Sequence, residues 1–194
     1  RIGAVLGTEE IDISRKAVVV MCSDNGIVEE GISQSGQEVT AAVARELGRG
    51  GSSVGKLAAA VGADVIPIDI GINREDVIPG VADWKIRRGT RNFRKEPAMT
   101  RQEAVEGIFM GIEAAARCKE SGYGLIAAGE MGIGNTTTSS AAAAALLGCE
   151  AGKVTGRGAG LSDEGLARKR QVIEEALERY GLRGECPLKV LETV

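Results

Sequence analysis

The sequence predicts an α/β fold in which helices cover a parallel β-sheet. A continuous Val-rich apolar run, KAVVVMC, is typical of a strand buried on both faces of such a sheet. Strand-like segments alternate along the chain with segments of helical periodicity. Aromatic residues make up only 3% of the 194 residues, and Ala, Gly, Val, Ile and Leu dominate. Such small side chains suit close packing of helices on a sheet.

The first half of the chain is predicted to contain two strands and two helices. Val39, Val43 and Leu47 recur at the spacing of one helix face. Pro67 indicates a position near a sheet edge or a bulge, because proline cannot donate a hydrogen bond to a neighbouring strand. The predicted elements are a strand at Lys16–Cys22, helices at Gln37–Leu47 and Ser52–Val61, and a strand at Asp64–Ile72.

The next segment, Asn73–Pro97, is irregular and rich in charged residues, and it contains Pro79 and glycines. We expect a long loop or a short hairpin there, and a loop of this length in a compact domain is usually functional or disordered. Thr100 then begins a helix as its N-cap, and Glu103 completes a capping box. That helix extends to Cys118, with a predicted apolar face of Val105, Ile108, Ile112 and Ala116.

The C-terminal part is predicted to add one strand and two helices. The strand Tyr123–Ala128 leads through a glycine loop into an alanine-rich helix that ends at Leu147. A last helix spans Asp163–Tyr180, with an apolar stripe of Leu166, Ile173, Leu177 and Tyr180. Together these elements predict a single α/β domain over residues 1–194.

Composition excludes several classes of function. The net charge is −3 with both signs interspersed, so the basic footprint of a nucleic-acid-binding protein is absent. No apolar run approaches the roughly 20 residues that a membrane span needs. The chain has no histidine, which excludes Ser-His and Cys-His dyads within it and argues against a zinc site. We expect no nucleic-acid or membrane partner, no metal and no cofactor.

Cysteine usage indicates a reducing compartment. The cysteines are far apart and form no CxxC pair, so we expect reduced thiols, buried or half-buried, in a cytoplasmic protein. The four positions are Cys22, Cys118, Cys149 and Cys186.

The segment GEMGIGNTTTSS, Gly129 to Ser140, joins a predicted strand to the alanine-rich helix. Gly132 and Gly134 allow the backbone to come close to a ligand, and the start of the next helix offers unpaired N–H groups to a phosphate. The hydroxyl groups that follow can act as further donors: Thr136, Thr137 and Thr138. This arrangement predicts a phosphate-binding loop, although its spacing matches neither the Walker A nor the dinucleotide fingerprint.

A carboxylate in the same segment refines this prediction. Glu130 would repel a phosphate, but it can accept hydrogen bonds from sugar hydroxyls, which suits a ribose phosphate. The alternative is a strand-to-helix turn that needs glycine only for its backbone angles. In that case Asn135 or Thr136 caps the helix.

GRGAGLSDEGLARK is a second candidate for anion binding. Lys169 borders the apolar stripe of its helix and lies in the first half, where the helix dipole disfavours a cation. One interpretation is a lysine that snorkels to a solvated face. The other is a charge held for a phosphate that the GRG loop cradles.

Polar residues are dense in the first loop, SDNGIVEEGISQSGQEVT. Ser35 can cap the following helix, with Glu38 as its capping-box partner. Alternatively, polar side chains of this loop bind the nitrogens of a heterocycle. Position alone leaves both possibilities open.

The motifs GEMGIGNTTTSSA, SDNGIVEEGISQSGQEVT, RGTRNF, PAMT and GRGAGLSDEGLARK occur in the order and at the separations of one family. The chain resembles the nicotinate-nucleotide:dimethylbenzimidazole phosphoribosyltransferases of cobalamin nucleotide-loop assembly. The resemblance implies a Rossmann-like fold. It also implies that the 5-phosphoribosyl group of nicotinate mononucleotide passes to 5,6-dimethylbenzimidazole or a related base, giving α-ribazole 5'-phosphate and nicotinate.

The resemblance also implies roles for residues. Glu130 corresponds to the catalytic loop glutamate near the ribose. The substrate-binding residues would be Gly132, Gly134, Asn135 and Thr136 in the phosphoribosyl loop, Gly158 and Lys169 at the phosphate, and Ser33, Ser35 and Gln37 near the base.

The main departure from the family concerns the chain ends. The chain does not begin with Met, and PLKVLETV stops inside an apolar-periodic pattern, so we expect a fragment holding most of the family's large domain. The general base of the family would lie beyond Val194. Family members are homodimers, which implies a homodimer here. The alternatives are a protein of the same fold that binds ribazole or the mononucleotide without turnover and, less well supported, an NAD-dependent oxidoreductase.

Overall fold

The computed structural model describes residues 1–194 and confirms the predicted α/β fold. Four parallel strands form one sheet in the order β3-β2-β1-β4. The strands are β1 Lys16–Ser23, β2 Ala63–Gly71, β3 Ala82–Asp83 and β4 Leu125–Met131. The helices are α1 Ile2–Leu6, α2 Glu38–Gly48, α3 Ser53–Ala60, α4 Arg101–Glu120, α5 Asn135–Leu147, α6 Ala151–Val154, α7 Asp163–Tyr180 and α8 Pro187–Thr193, together with a 3-10 turn at Gly26–Glu30.

Strand β1 is central because its side chains are apolar on both faces. It pairs with β2 and β4 along its whole length, and Lys16 is in register with both Ala63 and Leu125. Val19 and Val20 point to opposite faces and are both buried. The carboxyl ends of the three long strands therefore meet at one edge of the sheet, where ligands bind in open parallel sheets.

The apolar core is divided into three clusters. One contains Val20 and packs α2 on its face of the sheet through Ala41, Ala44 and Leu47. Another contains Val19 and packs α4 on the opposite face. The largest cluster joins α5, α7 and α8 to the loops that follow β1 and β3. Fully buried alanines of α5, such as Ala141 and Ala144, let these helices approach closely, as the composition predicted.

The prediction for Pro67 is confirmed, and of the two alternatives for the segment after it the structure has the long loop and not the hairpin. On its outer side β2 pairs only with the two residues of β3, at Ile68 and Asp69, so Pro67 faces an open edge. Because β3 is parallel to β2, no hairpin forms. Most of Asn73–Pro97 is a long loop, as expected.

Helix α4 has the predicted capping box but buries a different face. Thr100 Oγ1 accepts a hydrogen bond from the Glu103 N–H at 3.2 Å, and Glu103 Oε2 accepts one from the Thr100 N–H at 2.6 Å. The predicted apolar face is wrong, since Ile108 and Ile112 are 46% and 59% exposed. The small residues Ala104, Ala114 and Cys118 are buried instead, because they let the helix lie close to the sheet.

Several other expectations need correction. Ser35 does not cap α2, which begins at Glu38 and has no side-chain cap. Strand β4 continues to Met131, so Glu130 belongs to the strand and not to the loop. All four cysteines are free, but Cys186 is exposed where a buried or half-buried thiol was expected. None of the helices is both long and apolar enough to cross a membrane.

Candidate active site

A cavity of about 200 Å³ opens at the carboxyl edge of the sheet, between the start of α5, the first loop and the GRG loop. Sites for drug-sized ligands usually measure about 300–1,000 Å³. The cavity therefore matches a sugar phosphate better than a whole dinucleotide. Most of the predicted site residues line it: Ser33, Gly132, Gly134, Asn135, Thr136, Gly158 and Lys169.

The turn from β4 into α5 needs its glycines for steric reasons. A Cβ on Gly132 would lie 2.2 Å from the Ser23 carbonyl oxygen. Gly134 has φ 92° and immediately precedes α5, and a Cβ there would lie 2.8 Å from Val28 Cγ2. The expectation that Asn135 or Thr136 caps the helix is wrong, because glycine occupies the cap position and no side chain caps the helix.

Backbone donors are concentrated around the cavity. The N–H groups of Gly134, Thr136, Gly158 and Ala159 donate to no backbone carbonyl of the chain. The first two belong to the start of α5, a helix of 13 residues whose dipole favours an anion at this end. These donors and the helix dipole would favour a negatively charged group in the cavity.

Lys169 supplies the positive charge. Although it lies on α7, it does not snorkel to a solvated face: it is 1% exposed and its Nζ donates to Thr136 Oγ1 at 2.7 Å. No carboxylate pairs with it, and burial lowers the pKa of its ammonium group. A phosphate in the cavity would provide the missing counter-charge.

The loop opposite Lys169 approaches closely. Gly158 has φ 58°, and a Cβ there would lie 2.9 Å from Thr136 Oγ1 and 3.6 Å from Lys169 Nζ. A larger residue would fill the space between the ammonium group and the GRG loop. The positive φ and the close approach both explain glycine at this position.

Only one of the three consecutive threonines lines the cavity. Thr136 is exposed there, whereas Thr137 is fully buried and its Oγ1 has no hydrogen-bond partner. Thr138 donates its hydroxyl to Asn25 Oδ1 at 3.1 Å. The expectation that all three hydroxyls face a ligand is therefore wrong for Thr137 and Thr138, because successive helix residues point in different directions.

Glu130 stands beside the cavity without lining it. The carboxylate is exposed, and its Oε1 accepts a hydrogen bond from Asn135 Nδ2. The amide of Asn135 thus connects the carboxylate to the start of α5. A ribose held above this connection would have a carboxylate acceptor within reach of its hydroxyl groups.

The three candidates of the first loop differ in position. Ser33 lines the cavity, whereas Ser35 and Gln37 do not. The Gln37 side chain donates to the Asn25 carbonyl at 3.1 Å and accepts from Asn73 Nδ2 at 3.4 Å. It is half-buried and held by the neighbouring loops.

Sequence reasoning missed the residues that hold the glycine turn. The Ile133 N–H donates to Thr40 Oγ1, and the Ile133 carbonyl accepts from Asn25 Nδ2, each at 3.1 Å. Gln34 Nε2 donates to the Gly160 carbonyl at 2.7 Å and connects the first loop to the GRG loop. The one available signal was the SDNG turn, whose polar residues follow a buried strand at the same sheet edge as the glycines.

Buried acidic residues support the site from behind. Asp24 is 2% exposed, and its Oδ2 accepts from the Asn73 N–H at 2.8 Å. Burial raises the pKa of Asp24, against the lowering effect of that hydrogen bond. Asp69 Oδ2 pairs with Lys85 Nζ at 2.8 Å. These contacts fix the loop after β2, on which Asn73 lies.

A larger groove of about 790 Å³ lies elsewhere, between α4 and the segment 74–88. None of the predicted site residues lines it. Its charged side chains contact their neighbours; the Arg117 guanidinium lies 4.7 Å from the Trp84 ring centroid. The smaller cavity is the better candidate, since it combines unpaired N–H groups with a buried ammonium group.

Comparison with known proteins agrees with this geometry. The family model described as "Phosphoribosyltransferase" matches residues 1–194. The nicotinate-nucleotide–dimethylbenzimidazole phosphoribosyltransferase of Clostridium perfringens is 39% identical over 100% of this chain and 54% of its own length. The enzyme of the same name from Geobacter metallireducens is 43% identical over 98% of this chain and 54% of its own length.

Solved structures give the same result. The crystal structure of CobT from Thermus thermophilus superimposes with a TM-score of 0.93 at 42% identity, covering 100% of this chain and 58% of that one. The chain spans about half the length of the curated relatives it matches. A family model that matches every residue, and relatives at about 40% identity, show that the chain belongs to this phosphoribosyltransferase family.

Proposed function

We propose that the chain is the nucleotide-binding part of a nicotinate-nucleotide:dimethylbenzimidazole phosphoribosyltransferase. The enzyme would transfer the 5-phosphoribosyl group of nicotinate mononucleotide to 5,6-dimethylbenzimidazole or a related base. The products are α-ribazole 5'-phosphate and nicotinate, and the pathway is cobalamin biosynthesis. The observation that carries the proposal is the cavity in which the buried Lys169 ammonium group meets the N-terminus of α5.

The cavity residues suggest how the mononucleotide binds. Its phosphate would accept hydrogen bonds from Lys169, from Thr136 and from the N–H groups near Gly134 and Gly158. Glu130 would accept from the ribose hydroxyls, which fixes the anomeric carbon relative to the first loop. Ser33, with Ser35 and Gln37 behind it, would face the incoming base.

The reaction then needs positioning and removal of one proton. A ring nitrogen of the benzimidazole attacks the anomeric carbon as the bond from that carbon to the nicotinate nitrogen breaks, with inversion. The benzimidazole loses its N–H proton, and the pyridinium charge of nicotinate is neutralised by the returning electron pair. Holding the two substrates at attack distance supplies much of the catalysis. We propose that a glutamate beyond Val194 accepts this proton and that Glu130 binds the ribose hydroxyls.

Further parts of the proposal concern the whole protein. Residues 1–194 would form a single Rossmann-like domain, with a small domain contributed by other parts of a longer chain. The enzyme would be a cytoplasmic homodimer whose partners are small-molecule substrates. The absence of an ion-pair partner for Lys169 and the reduced cysteines agree with a small anionic ligand and a reducing compartment.

The test is an assay of the full-length polypeptide that contains this chain. It is incubated with nicotinate mononucleotide and 5,6-dimethylbenzimidazole, and α-ribazole 5'-phosphate is measured by mass spectrometry. We expect product formation, and a lower kcat for Glu130→Gln with unchanged thermal stability. Binding of the mononucleotide without any product from the full-length polypeptide would support a non-catalytic binding protein instead.

A further inference from the structure

The two peptide groups on either side of Ile133, at the centre of the glycine turn, are each held by one side chain, Thr40 of α2 and Asn25 of the first loop. Thr40 Oγ1 accepts from the Ile133 N–H, and Asn25 Nδ2 donates to the Ile133 carbonyl, each at 3.1 Å. Thr40 is fully buried and Asn25 is half-buried. The conformation of the phosphoribosyl loop is thus set by residues of the first loop and the helix after it.

Asn25 makes further contacts that extend in two directions. Its Oδ1 accepts from Thr138 Oγ1 at 3.1 Å, in the first turn of α5. Its backbone carbonyl accepts from Gln37 Nε2 at 3.1 Å, beside the proposed base site. One residue therefore contacts the glycine turn, the helix start behind it and a residue of the base segment.

The packing around Asn25 leaves little room for an alternative. A Cβ on Gly132 would lie 2.9 Å from Asn25 Nδ2, and one on Gly134 would lie 3.2 Å from Asn25 Cβ. The amide uses its N–H toward Ile133 and its oxygen toward Thr138. A carboxylate of the same size can accept from Thr138 but cannot donate to Ile133.

We propose that Asn25 is a positioning residue that couples the two substrate sites of the transferase. It holds the glycine turn, and with it the free Thr136 N–H, in place for the phosphoribosyl group. Through its carbonyl it also holds Gln37 on the side of the base. This inference rests on the proposed function, since it concerns the alignment of a mononucleotide with an attacking base. A displacement of about 1 Å at such a site can cost up to about 100-fold in rate.

The test uses steady-state kinetics of the full-length enzyme. Asn25→Ala removes both side-chain bonds, and Asn25→Asp removes the donor while keeping the shape. We expect each variant to lower kcat by about 10- to 100-fold. The backbone carbonyl that accepts from Gln37 remains, but it can shift once the side-chain bonds no longer anchor Asn25. KM should therefore rise for both substrates, with little change in the thermal midpoint. The Ala variant separates loss of alignment from repulsion between a new carboxylate and the substrate phosphate.

Thr138→Val is the matched control. It removes one hydroxyl bond to Asn25 and leaves the contacts of Asn25 with Ile133 and Gln37 intact. We expect it to raise KM for nicotinate mononucleotide alone, by roughly 2- to 10-fold.

The outcomes separate the inference from the proposed function. An inactive wild-type enzyme would overturn the proposed function. An active enzyme whose Asn25 variants keep wild-type kcat and KM, or change KM for only one substrate, would overturn the inference alone. If the Asn25 variants do not fold, a double-mutant cycle between Thr138→Val and Gln37→Met tests the coupling instead. Effects of the two substitutions on kcat/KM that simply multiply would then contradict coupling through Asn25.

Discussion

Lys169 is a proposed phosphate ligand whose burial opposes folding. Its ammonium group is 1% exposed and has one neutral acceptor, Thr136 Oγ1, and no carboxylate. Burial lowers its pKa, so the charged form is less stable in the folded protein than in water. The substrate phosphate, and not the protein, would supply the counter-charge.

We expect Lys169→Met to raise or maintain the free energy of unfolding at pH 7 while weakening mononucleotide binding. The affinity loss should be about 1.5–3 kcal/mol, the range of a charge-assisted hydrogen bond. Calorimetric titration and urea denaturation measure the two effects separately. Unchanged affinity would contradict the phosphate role, and a large loss of stability would contradict the account of its burial.

At the same scale, the sequence predicted the residue types of the site better than their directions. The glycine pattern and Lys169 became candidates because each is anomalous for its local structure, and the family resemblance then decided between the two interpretations of Lys169. The directions of the Thr137, Thr138 and Ser35 side chains could not be predicted, because they depend on where α2 and α5 begin. A shift of one residue in a helix start rotates each side chain by about 100°.

Helix α5 is preceded by a glycine, Gly134, whose conformation few other residues adopt. Gly134 has φ 92°, and a Cβ there would lie 2.8 Å from Val28 Cγ2 and 3.2 Å from Asn25 Cβ. Gly148, at the other end of the same helix, has φ 62° and nothing within 4 Å of a Cβ. Alanine substitutions at these two glycines therefore distinguish the cost of backbone strain alone from the added cost of a steric clash at the candidate site.

We expect Gly134→Ala to reduce both stability and mononucleotide affinity. Gly148→Ala should cost about 1–2 kcal/mol of stability from the left-handed conformation alone and leave affinity unchanged. Gly134→Ala adds the displacement of the turn, so its binding, measured by calorimetry, should weaken clearly. Equal affinities for the two variants would show that the turn does not contact the ligand.

Helix α4 is stabilised at its start by a charged cluster around Glu103. The carboxylate accepts from the Thr100 N–H and from Arg91 Nη1 at 3.1 Å. Arg87 Nη1 also donates to it, at 3.2 Å. Burial pushes the pKa of Glu103 upward, but these bonds and charges outweigh it and hold the pKa below its usual value.

The lowered pKa gives Glu103→Gln a defined pH dependence. The folded protein binds this proton more weakly than the unfolded chain, so the stabilisation is present above about pH 4.5 and is lost as the pH falls through the folded pKa. We expect the variant to lose about 1–2 kcal/mol at pH 7 and to approach the wild type as the pH falls through the folded pKa of Glu103. Glu120→Gln, on the same helix without an ion pair, is the control for urea denaturation. If the free energies of unfolding of Glu103→Gln and the wild type differ by the same amount at every pH, the stabilisation does not come from the Glu103 carboxylate.

The apolar face of α4 could not be predicted from periodicity. Ile108 and Ile112 are spaced as a core stripe, yet both are exposed. The buried face carries Ala104 and Ala114. Periodicity identifies where large side chains cluster, but the distance between helix and sheet decides which face fits.

At the scale of the whole molecule, sequence patterns identified the strands but not their order. The order β3-β2-β1-β4 places β1 between strands that follow it by about 50 and 110 residues, as the pairing of Lys16 with Ala63 and Leu125 shows. Such pairings depend on contacts distant in sequence, and no local pattern encodes them. The candidate cavity has the same origin, since its walls come from three separate segments.

Because distant segments form the cavity, we expect ligand binding to stabilise the domain as a unit. At a mononucleotide concentration 100 times Kd, the free energy of unfolding should rise by about 2.7 kcal/mol if only the folded state binds. Differential scanning fluorimetry over a range of concentrations tests this. A midpoint independent of ligand concentration would contradict binding to the folded domain.

The ammonium group of Lys169, which has no carboxylate partner, also affects the choice of buffer and crystallisation salt. Orthophosphate and sulfate carry the same tetrahedral oxygen arrangement as the end of a mononucleotide, so either salt should compete for the candidate cavity. Kinetics recorded in phosphate buffer would then overstate KM for the nucleotide and leave KM for the base unaltered. Crystals grown from ammonium sulfate would be expected to trap an anion beside the α7 lysine.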